Sequence, residues 1–409
     1  MEKSYINKPY WSSINEVPYI YPWLSYDETA QVCIIGGGIT GALSCLKFVS
    51  SGIDTVLISA DPIAYSSTAK SYGIMQLQVD KGLYRLSHDI GLSNATEIHN
   101  LCKSSIDETE KICSDLPKSC GFKRVDSFLF TKEKSSNEFL QKEYMLLKNN
   151  GFDVSFVAKD KGLEIFPFEI ESGIILHKLA AIVDPYLLTH EIIKKCESLG
   201  ARIYENSHVK SIGTNYAVTN TGQKVTADKI ISATGLNTYK FFKDLCIKKT
   251  SFAVVSKPID NLSDLGDTNL FNCIDTPKLS FTVTPDNRIL AYGLDAGMVE
   301  PFKKISNAFC SSPSANKFEN KKFDSLSEGL SYYFPGFCST SPEYAFTTDY
   351  IQTEHGLPII DEIKNFNNCL FGFCSGNSSL VFSNIVANIL FKIYKGELIA
   401  KSNFLDYLK

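Results

Sequence analysis

No excess of positive charge marks this sequence. Its 409 residues carry 41 Lys and Arg against 45 Asp and Glu, a net charge of -4, and the pI is near 5.9. With no cluster of lysines and aromatics, it lacks the electrostatic footprint of a nucleic-acid surface. Long apolar runs are missing too. The longest, Ile34 to Val49, is broken by glycines and falls short of the roughly 20 residues that span a bilayer. The opening stretch MEKSYINKPYWSSINEVPYIYPWL has no apolar core of a signal peptide, so a cytoplasmic location is expected. None of the twelve cysteines stands in a CxxC pair, and Cys33, Cys45 and Cys374 fall inside apolar runs. They read as reduced and packed as small hydrophobes. The six histidines show no i, i+4 pairing, so no metal site is expected. Arginine is scarce, with only Arg85, Arg124, Arg202 and Arg288.

What is present is an ordinary globular composition, 44% hydrophobic and 21% charged, at a length that suits two domains. The most informative stretch is Gln31 to Ala60, QVCIIGGGITGALSCLKFVSSGIDTVLISA. Val32, Ile34 and Ile35 make a strand fit to be buried on both faces. Gly36, Gly38 and Gly41 follow at G-x-G-x-x-G spacing. The first glycine permits the turn, the second lets backbone approach a pyrophosphate, and the third lets helix pack on strand. Ile39 and Thr40 open the helix at its phosphate-facing end, where free N–H groups and the positive dipole end favour an anion. Ala42, Leu43, Leu46 and Val49 then continue its apolar face. Thr55 to Ser59 gives the second strand. An acidic residue that bonds a ribose is expected at its end, but Ser59 and Ala60 stand there, with Asp61 just beyond.

The loop from Asp61 to Gln78 is small and polar, with Ser66, Ser67, Thr68 and Gly73. Its backbone and hydroxyl donors suit a phosphate or a ring, and a plain surface loop fits equally well. Helices are expected through 82–150, one capped by Ser93 or Asn94 and another closed by Gly151. Asp184-Pro185 opens a further helix that Gly200 ends. A hairpin follows around Asn220-Thr221-Gly222, then ADKIISATG, an apolar strand with a glycine turn. Between 240 and 345, strand-like runs alternate with turns, and a helix is expected over Leu326 to Tyr333. Ile385, Val386, Ile389, Leu390 and Ile393 mark a last helix with Gly396 as its stop. Residues 1–27 read as an irregular extension with aromatic side chains tucked against the surface.

From IIGGGITG through SSTAKSYGIMQ the sequence resembles the FAD-dependent amino acid and amine oxidoreductases. These include D-amino acid oxidase, glycine oxidase, sarcosine oxidase and the gamma-glutamylputrescine oxidase-like proteins. The family's I-G-x-G-A-S-G-R-N-x-G segment is matched by Ile63, Ser66, Ser67, Thr68, Lys70, Ser71 and Gly73, with Lys70-Ser71 in place of Arg-Asn. Val209 matches the backbone position that meets adenine, and Ala233, Thr234 and Gly235 match the phosphate end of A-T-G. Phe346, Gly356, Leu357 and Pro358 resemble the W-x-G…DGLPxIG segment. Gly376, Asn377, Ser378 and Ser379 replace the G-N-G core before the final helix.

The resemblance implies an α/β fold with a glutathione reductase-like, Rossmann-type FAD-binding domain over 28–84, 176–237 and 343–401. A second, mainly antiparallel α+β substrate domain would take 85–175 and 238–342. It also implies an oxidoreductase that oxidises the C–N bond of a small-molecule amine or amino acid by hydride transfer to flavin N5. The imine is then hydrolysed, and O2 is the expected acceptor. A dehydrogenase serving a quinone or protein acceptor, or a non-catalytic flavin-fold binding protein, are the alternatives. Just upstream of the HGLP segment, where some relatives attach the flavin, this chain shows Phe346 and no cysteine, so non-covalent FAD is expected. Met75, Gln76 and Arg288 are pocket candidates. No catalytic side chain is singled out. The scarcity of arginine, the usual carboxylate partner, favours an amine without a carboxylate.

Overall fold

The computed structural model describes residues 8–260, 262, 265, 267–276, 278–297, 313–334, 342–362, 366, 368–374, 376–399 and 404. Two sheets organise them. In chain order the strands are β1 (Glu28–Ile35), β2 (Thr55–Ile58), β3 (Ile74–Gln76), β4 (Lys123–Thr131), β5 (Val154–Ala158), β6 (Ser172–Ile182), β7 (Arg202–Tyr204), β8 (Val209–Ile212) and β9 (Tyr216–Thr219). Then come β10 (Lys224–Ser232), β11 (Cys246–Val255), β12 (Thr268–Cys273), β13 (Leu279–Val283), β14 (Ile289–Gly297), β15 (Tyr344–Thr353), β16 (Ile359–Glu362) and β17 (Cys369–Phe373).

The first sheet runs β16-β17-β10-β1-β2-β7, with β8 and β9 extending from β10. Five consecutive strands, β17-β10-β1-β2-β7, are parallel. In register, Ile34 lies between Ile231 and Leu57. These are the unbroken apolar runs that burial on both faces requires. The helix Ile39–Ser50 follows β1 directly. On one side it meets the helix Pro185–Ser198, with Cys196 Sγ 3.9 Å from the Ala42 carbonyl. On the other it meets the helix Ser379–Tyr394, whose Phe391 and Tyr394 rings pack edge-on against Phe48. All three helices and the sheet they cover share one core.

The second sheet runs β15-β11-β14-β13-β12-β4-β6-β3, with β5 beside β6. Every pairing is antiparallel except β12 with β4. One face carries an aromatic core of Phe128, Phe130, Phe166, Phe168, Phe271 and Phe281, beneath the helix Pro313–Tyr333. That helix begins well before the expected Leu326, because its first half is polar and shows no apolar period. The helix expected to be capped by Ser93 or Asn94 begins instead at Leu92, straight after Gly91. Gly91, at φ +86, ends the preceding helix Gly82–Ile90 and starts the next. One positive-φ glycine thus does the work of both caps.

The N-terminal stretch tucks in as its composition suggests. Tyr10, Trp11, Tyr21 and Leu24 are buried, while Ile20 and Trp23 are exposed. Trp11 Nε1 donates to the Ser71 carbonyl at 2.6 Å, which fixes the loop before β3. Among the described residues, no helix is long and apolar enough to cross a membrane.

Candidate functional site

The C-terminal ends of β1, β10 and β17 open onto a cleft of about 1170 Å³, its open mouth included. Gly36, Gly38, Ile39 and Thr40 line its floor. Glycine is required here by contact as well as by conformation. A Cβ on Gly36, whose φ is +125, would stand 2.3 Å from the Ala233 carbonyl oxygen. One on Gly41 would stand 1.9 Å from the Gly36 oxygen. Gly41 therefore lies behind the cleft and seats the helix against the turn, while the other glycines face it.

Gly37, between the motif positions, is as constrained. An added Cβ would lie 2.6 Å from Ser59 Oγ. The spacing rule passes over this residue, although its signal stands in the sequence as the middle of GGG. Ser59 and Ala60 line the cleft at the end of β2, followed by Asp61. Ser59 is 5% exposed, and its backbone bridges Tyr204 and Ser207 at 2.7 and 2.8 Å. Asp61 is therefore the carboxylate that the cleft wall offers where a ribose-binding acid is expected.

Ser66, Ser67 and Thr68 form another wall. Thr68 Oγ1 accepts from Ile39 N–H at 3.2 Å, so the polar loop caps the helix that Gly38 leaves uncapped. Ala233, Thr234 and Gly235 complete the opposite wall. Gly376 and Ser379 approach from the final helix, with Cys374 and Ser383 beside them. Thr40 Oγ1 lies 3.0 Å from Ser383 Oγ and 3.6 Å from Cys374 Sγ, which ties the two helix ends together. Burial pushes the Cys374 thiol up to about 11, so it stays protonated.

Other anticipated residues stand elsewhere. Val209 sits in β8, half-buried, outside the cleft lining. Gly73, at φ +72, faces the Val183 carbonyl and the Trp11 ring. Gly356, at φ +71, packs against Asp80. Ser378 is buried at the start of the last helix. Met75 is buried in β3 opposite Ala181. Arg288 lines neither this cleft nor the second cavity. Its guanidinium is held by Asp286 and Glu343 and donates to the Ser256 carbonyl at 2.9 Å. That is a structural network, which also holds Tyr10 through Asp286.

Gln76 and Asn377 line a second cavity of about 870 Å³, its open mouth included. Gln76 Oε1 accepts from Asn272 Nδ2 at 3.1 Å. Tyr292, on the same wall, stacks on Tyr72 with ring centroids 4.2 Å apart. The two cavities meet at one peptide, since Gly376 lines the first and Asn377 the second. Among the described residues, no group of three or more His, Cys, Asp or Glu could hold a metal ion.

A family model described as FAD dependent oxidoreductase, DAO, matches residues 31–393. The chain belongs to the DAO family. Within 198 residues, 48% of its length, this DAO-family chain is 24% identical to YhfW of Bacillus subtilis, described as a Rieske 2Fe-2S iron-sulfur protein. The match spans only 38% of that protein. Over 370 residues it is 20% identical to an oxidoreductase, OrdL, of Haemophilus influenzae, covering 87% of this chain and 84% of OrdL. Glycine oxidase from Geobacillus kaustophilus has a similar structure, with a TM-score of 0.72 and 15% identity, over 91% of this chain and 97% of that one. L-alpha-glycerophosphate oxidase from Mycoplasma pneumoniae, solved with FAD bound, gives a TM-score of 0.72 at 14% identity, over 92% and 97% of the two chains.

FAD is the cofactor of the DAO family, and the cleft suits it. Gly36 and Gly37 leave room that a side chain would fill. The first turn of the Ile39–Ser50 helix presents N–H groups that the helix cannot pair. Hydroxyls of Ser66, Ser67 and Thr68 surround it.

Proposed function

We propose that this chain is an FAD-dependent oxidoreductase that oxidises the C–N bond of an amine or amino acid. The supporting observation is the junction of the two cavities at Gly376-Asn377, a cleft floored by the glycine turn opening beside a second polar chamber. On this reading Gly36, Gly37, Gly38 and the 66–68 hydroxyls hold the pyrophosphate, and Asp61 the ribose. When bound, FAD supplies the acceptor for a hydride from the carbon that bears the nitrogen.

The protein's own contribution is binding and enclosure. Gln76 and Asn272 present amide groups to the chamber. Tyr292, 5% exposed, closes one wall against water, which strengthens every polar contact inside. The start of the Ser379–Tyr394 helix faces the cleft and favours negative charge there. The chain divides into a cofactor part, 28–84, 176–237 and 343–401, and a substrate part, 85–175 and 238–342. β3 and β15 cross into the second sheet and stitch the parts together.

The visible spectrum of the purified protein tests this reading. Flavin bands are expected, and acid precipitation is expected to release the flavin into the supernatant. Colourless protein that takes up no added FAD contradicts the proposal, and flavin retained in the pellet contradicts non-covalent attachment. Peroxide formed in air on adding substrate identifies O2 as acceptor. Its absence with a bleached flavin points to a quinone or protein.

A further inference from the structure

The second cavity holds groups that the fold leaves unmatched. Asp80 is half-buried and presses on the cofactor-side loops. A Cβ on Gly376 would meet its Oδ2 at 2.4 Å, and one on Gly356 would meet its Cβ at 3.4 Å. Gln352 Nε2 donates to this carboxylate across a long 3.4 Å. Gln78 lines the same cavity and is only 4% exposed, yet neither of its amide atoms has a hydrogen-bond partner. An orphaned amide at such depth is costly unless something else fills its valences.

Lys278 and Arg85 line the same cavity from exposed positions. Neither has an ion-pair partner among the described residues. Arg85 lies over the Phe139 ring at 4.3 Å, which leaves its N–H edges open. The remaining charges of the lining are engaged. Glu143 accepts from the Leu83 and Tyr84 N–H groups at 2.8 and 2.6 Å. Lys81 pairs with Asp89, and Asp295 accepts from Tyr350 at 2.8 Å. Burial pushes the Asp80 carboxyl up, and the Lys278 charge pulls it back. The cavity therefore carries both signs of charge. The Asp80 carboxyl lies against the cofactor-side loops, the orphaned Gln78 amide shares its lining, and two exposed cations without an ion-pair partner among the described residues line it too.

We propose that this cavity binds a zwitterionic amino acid, with its amino group at Asp80 and Gln78 and its carboxylate at Lys278 and Arg85. The assignment rests on the oxidoreductase reading and names its substrate class. Bound this way, the nitrogen-bearing carbon stands beside the Gly376-Asn377 loop, where the cleft and cavity meet. Gln78 offers its amide oxygen to the ammonium N–H groups that Asp80 does not take. Lys278 acts as a point charge, so it holds a carboxylate with less directional demand than a bidentate arginine. The scarcity of arginine in the chain is thus no obstacle to a carboxylate-bearing substrate.

The test uses the flavin-loaded full chain under anaerobic conditions. The probes are glycine, D- and L-alanine and L-proline. Each is set beside its decarboxylated amine (methylamine, ethylamine or pyrrolidine), and the first two beside acetate and propionate. Dissociation constants are read from the shift in flavin absorption and, independently, by calorimetry. At least one amino acid is expected to bind about tenfold or more tighter than either fragment. Asp80→Asn weakens that amino acid by about tenfold or more. Lys278→Glu, at an exposed position that spares the core, reverses the preference toward the amine. Amines that bind as tightly as amino acids, no amino acid binding at all, or a Lys278→Glu variant with unchanged preference each overturn the assignment while flavin binding stands. A chain that takes up no flavin overturns the oxidoreductase reading itself, and this assignment with it.

Discussion

At the scale of single residues, the cleft is decided by what is missing from side chains. Gly37→Ala places a methyl group against Ser59 Oγ, Ser59 Cβ and Ile63 Cδ1, all within 2.8 Å of the new atom. Flavin retention is expected to fall by about tenfold or more, a cost of roughly 1.4 kcal/mol. Adding Ser59→Gly removes two of the three obstructions and restores part of the loss. The ratio of flavin to protein absorbance reads both effects, and an unchanged ratio in the single variant would show that the turn does not set the cleft's shape. His99 makes a different residue-scale prediction. Its ring is fully buried, with Nδ1 2.8 Å from the Ala95 carbonyl and Nε2 unpartnered. Burial depresses its pKa from 6.5 to about 4. The unfolded chain therefore binds more protons than the folded chain between those values, and stability contributed at this site is lost as pH falls from about 6.5 toward 4. The loss approaches about 3 kcal/mol. His99→Leu removes it, so urea unfolding should show the variant gaining on the parent as pH drops from 7 to 4.5.

Much of this residue-level picture was legible in the sequence, and the limits have physical causes. Gly36, Gly38 and Ala233 to Gly235 line the cleft because each follows a strand whose apolar run is readable, and Thr68 lines it from the small, polar loop after β2. Gly37 escaped the spacing rule because its constraint comes from Ser59 on the neighbouring strand. Asp80 and Gln78 could not be read at all. Nothing local distinguishes them. They matter because β3 pairs with β6, which carries the stretch after it to the cavity wall. Arg288 is a pocket candidate in the sequence because it lies where the proteins it resembles carry an arginine, a position that a buried structural arginine fits equally well. Asp286, two residues earlier, and Glu343, distant in sequence, claim its guanidinium.

At the scale of elements, that arginine network clamps the start of β14 to the segment before β15 and, through Asp286, to Tyr10 of the N-terminal stretch. Arg288 has a side chain only 10% exposed, while its partners are 39% and 38% exposed. Solvent screening on the acidic side lowers its worth below that of a fully buried pair. Arg288→Met is expected to cost about 2 kcal/mol of unfolding free energy with flavin content unchanged. Loss of flavin without loss of stability would return Arg288 to the site. The helix Pro185–Ser198 depends on its cap in the same way. Asp184 accepts from Tyr186 and Leu187 N–H groups at 2.9 and 3.0 Å and from Asn15 at 2.6 Å. Asp184→Ala is expected to cost about 1–2 kcal/mol, read by chemical denaturation. Helix ends were the least readable elements, as Gly91 shows. A glycine that serves two helices looks, in sequence, like a single stop.

At the scale of the whole molecule, the cleft is assembled from distant stretches of chain. Its walls come from residues 35–40, 59–68 and 71, from Pro185, from 233–237 and 349–351, and from 372–374, 376, 379, 380 and 383. A ligand bound there contacts every one of them and binds only the folded chain, so it stabilises the fold by mass action. With free FAD at a hundred times its dissociation constant, the gain is about 2.7 kcal/mol. A melting temperature raised by about 3 °C over flavin-free protein is the expected readout. The same assembly explains why the resemblance to amine and amino acid oxidoreductases extends over most of the chain. A cofactor held in such a cleft would impose its constraints at several separated places along the chain.

One measurement tests C–N oxidation most directly, anaerobic addition of amino acids and amines to the flavin-loaded protein. Bleaching of the flavin absorption by an amino acid, with ammonia or an amine released in step with the bleached flavin, is the predicted result. A flavin that stays oxidised against the whole panel yet is bleached by a chemical reductant would contradict the account, because the cofactor would then be competent and the chamber beside it would not be a C–N oxidation site.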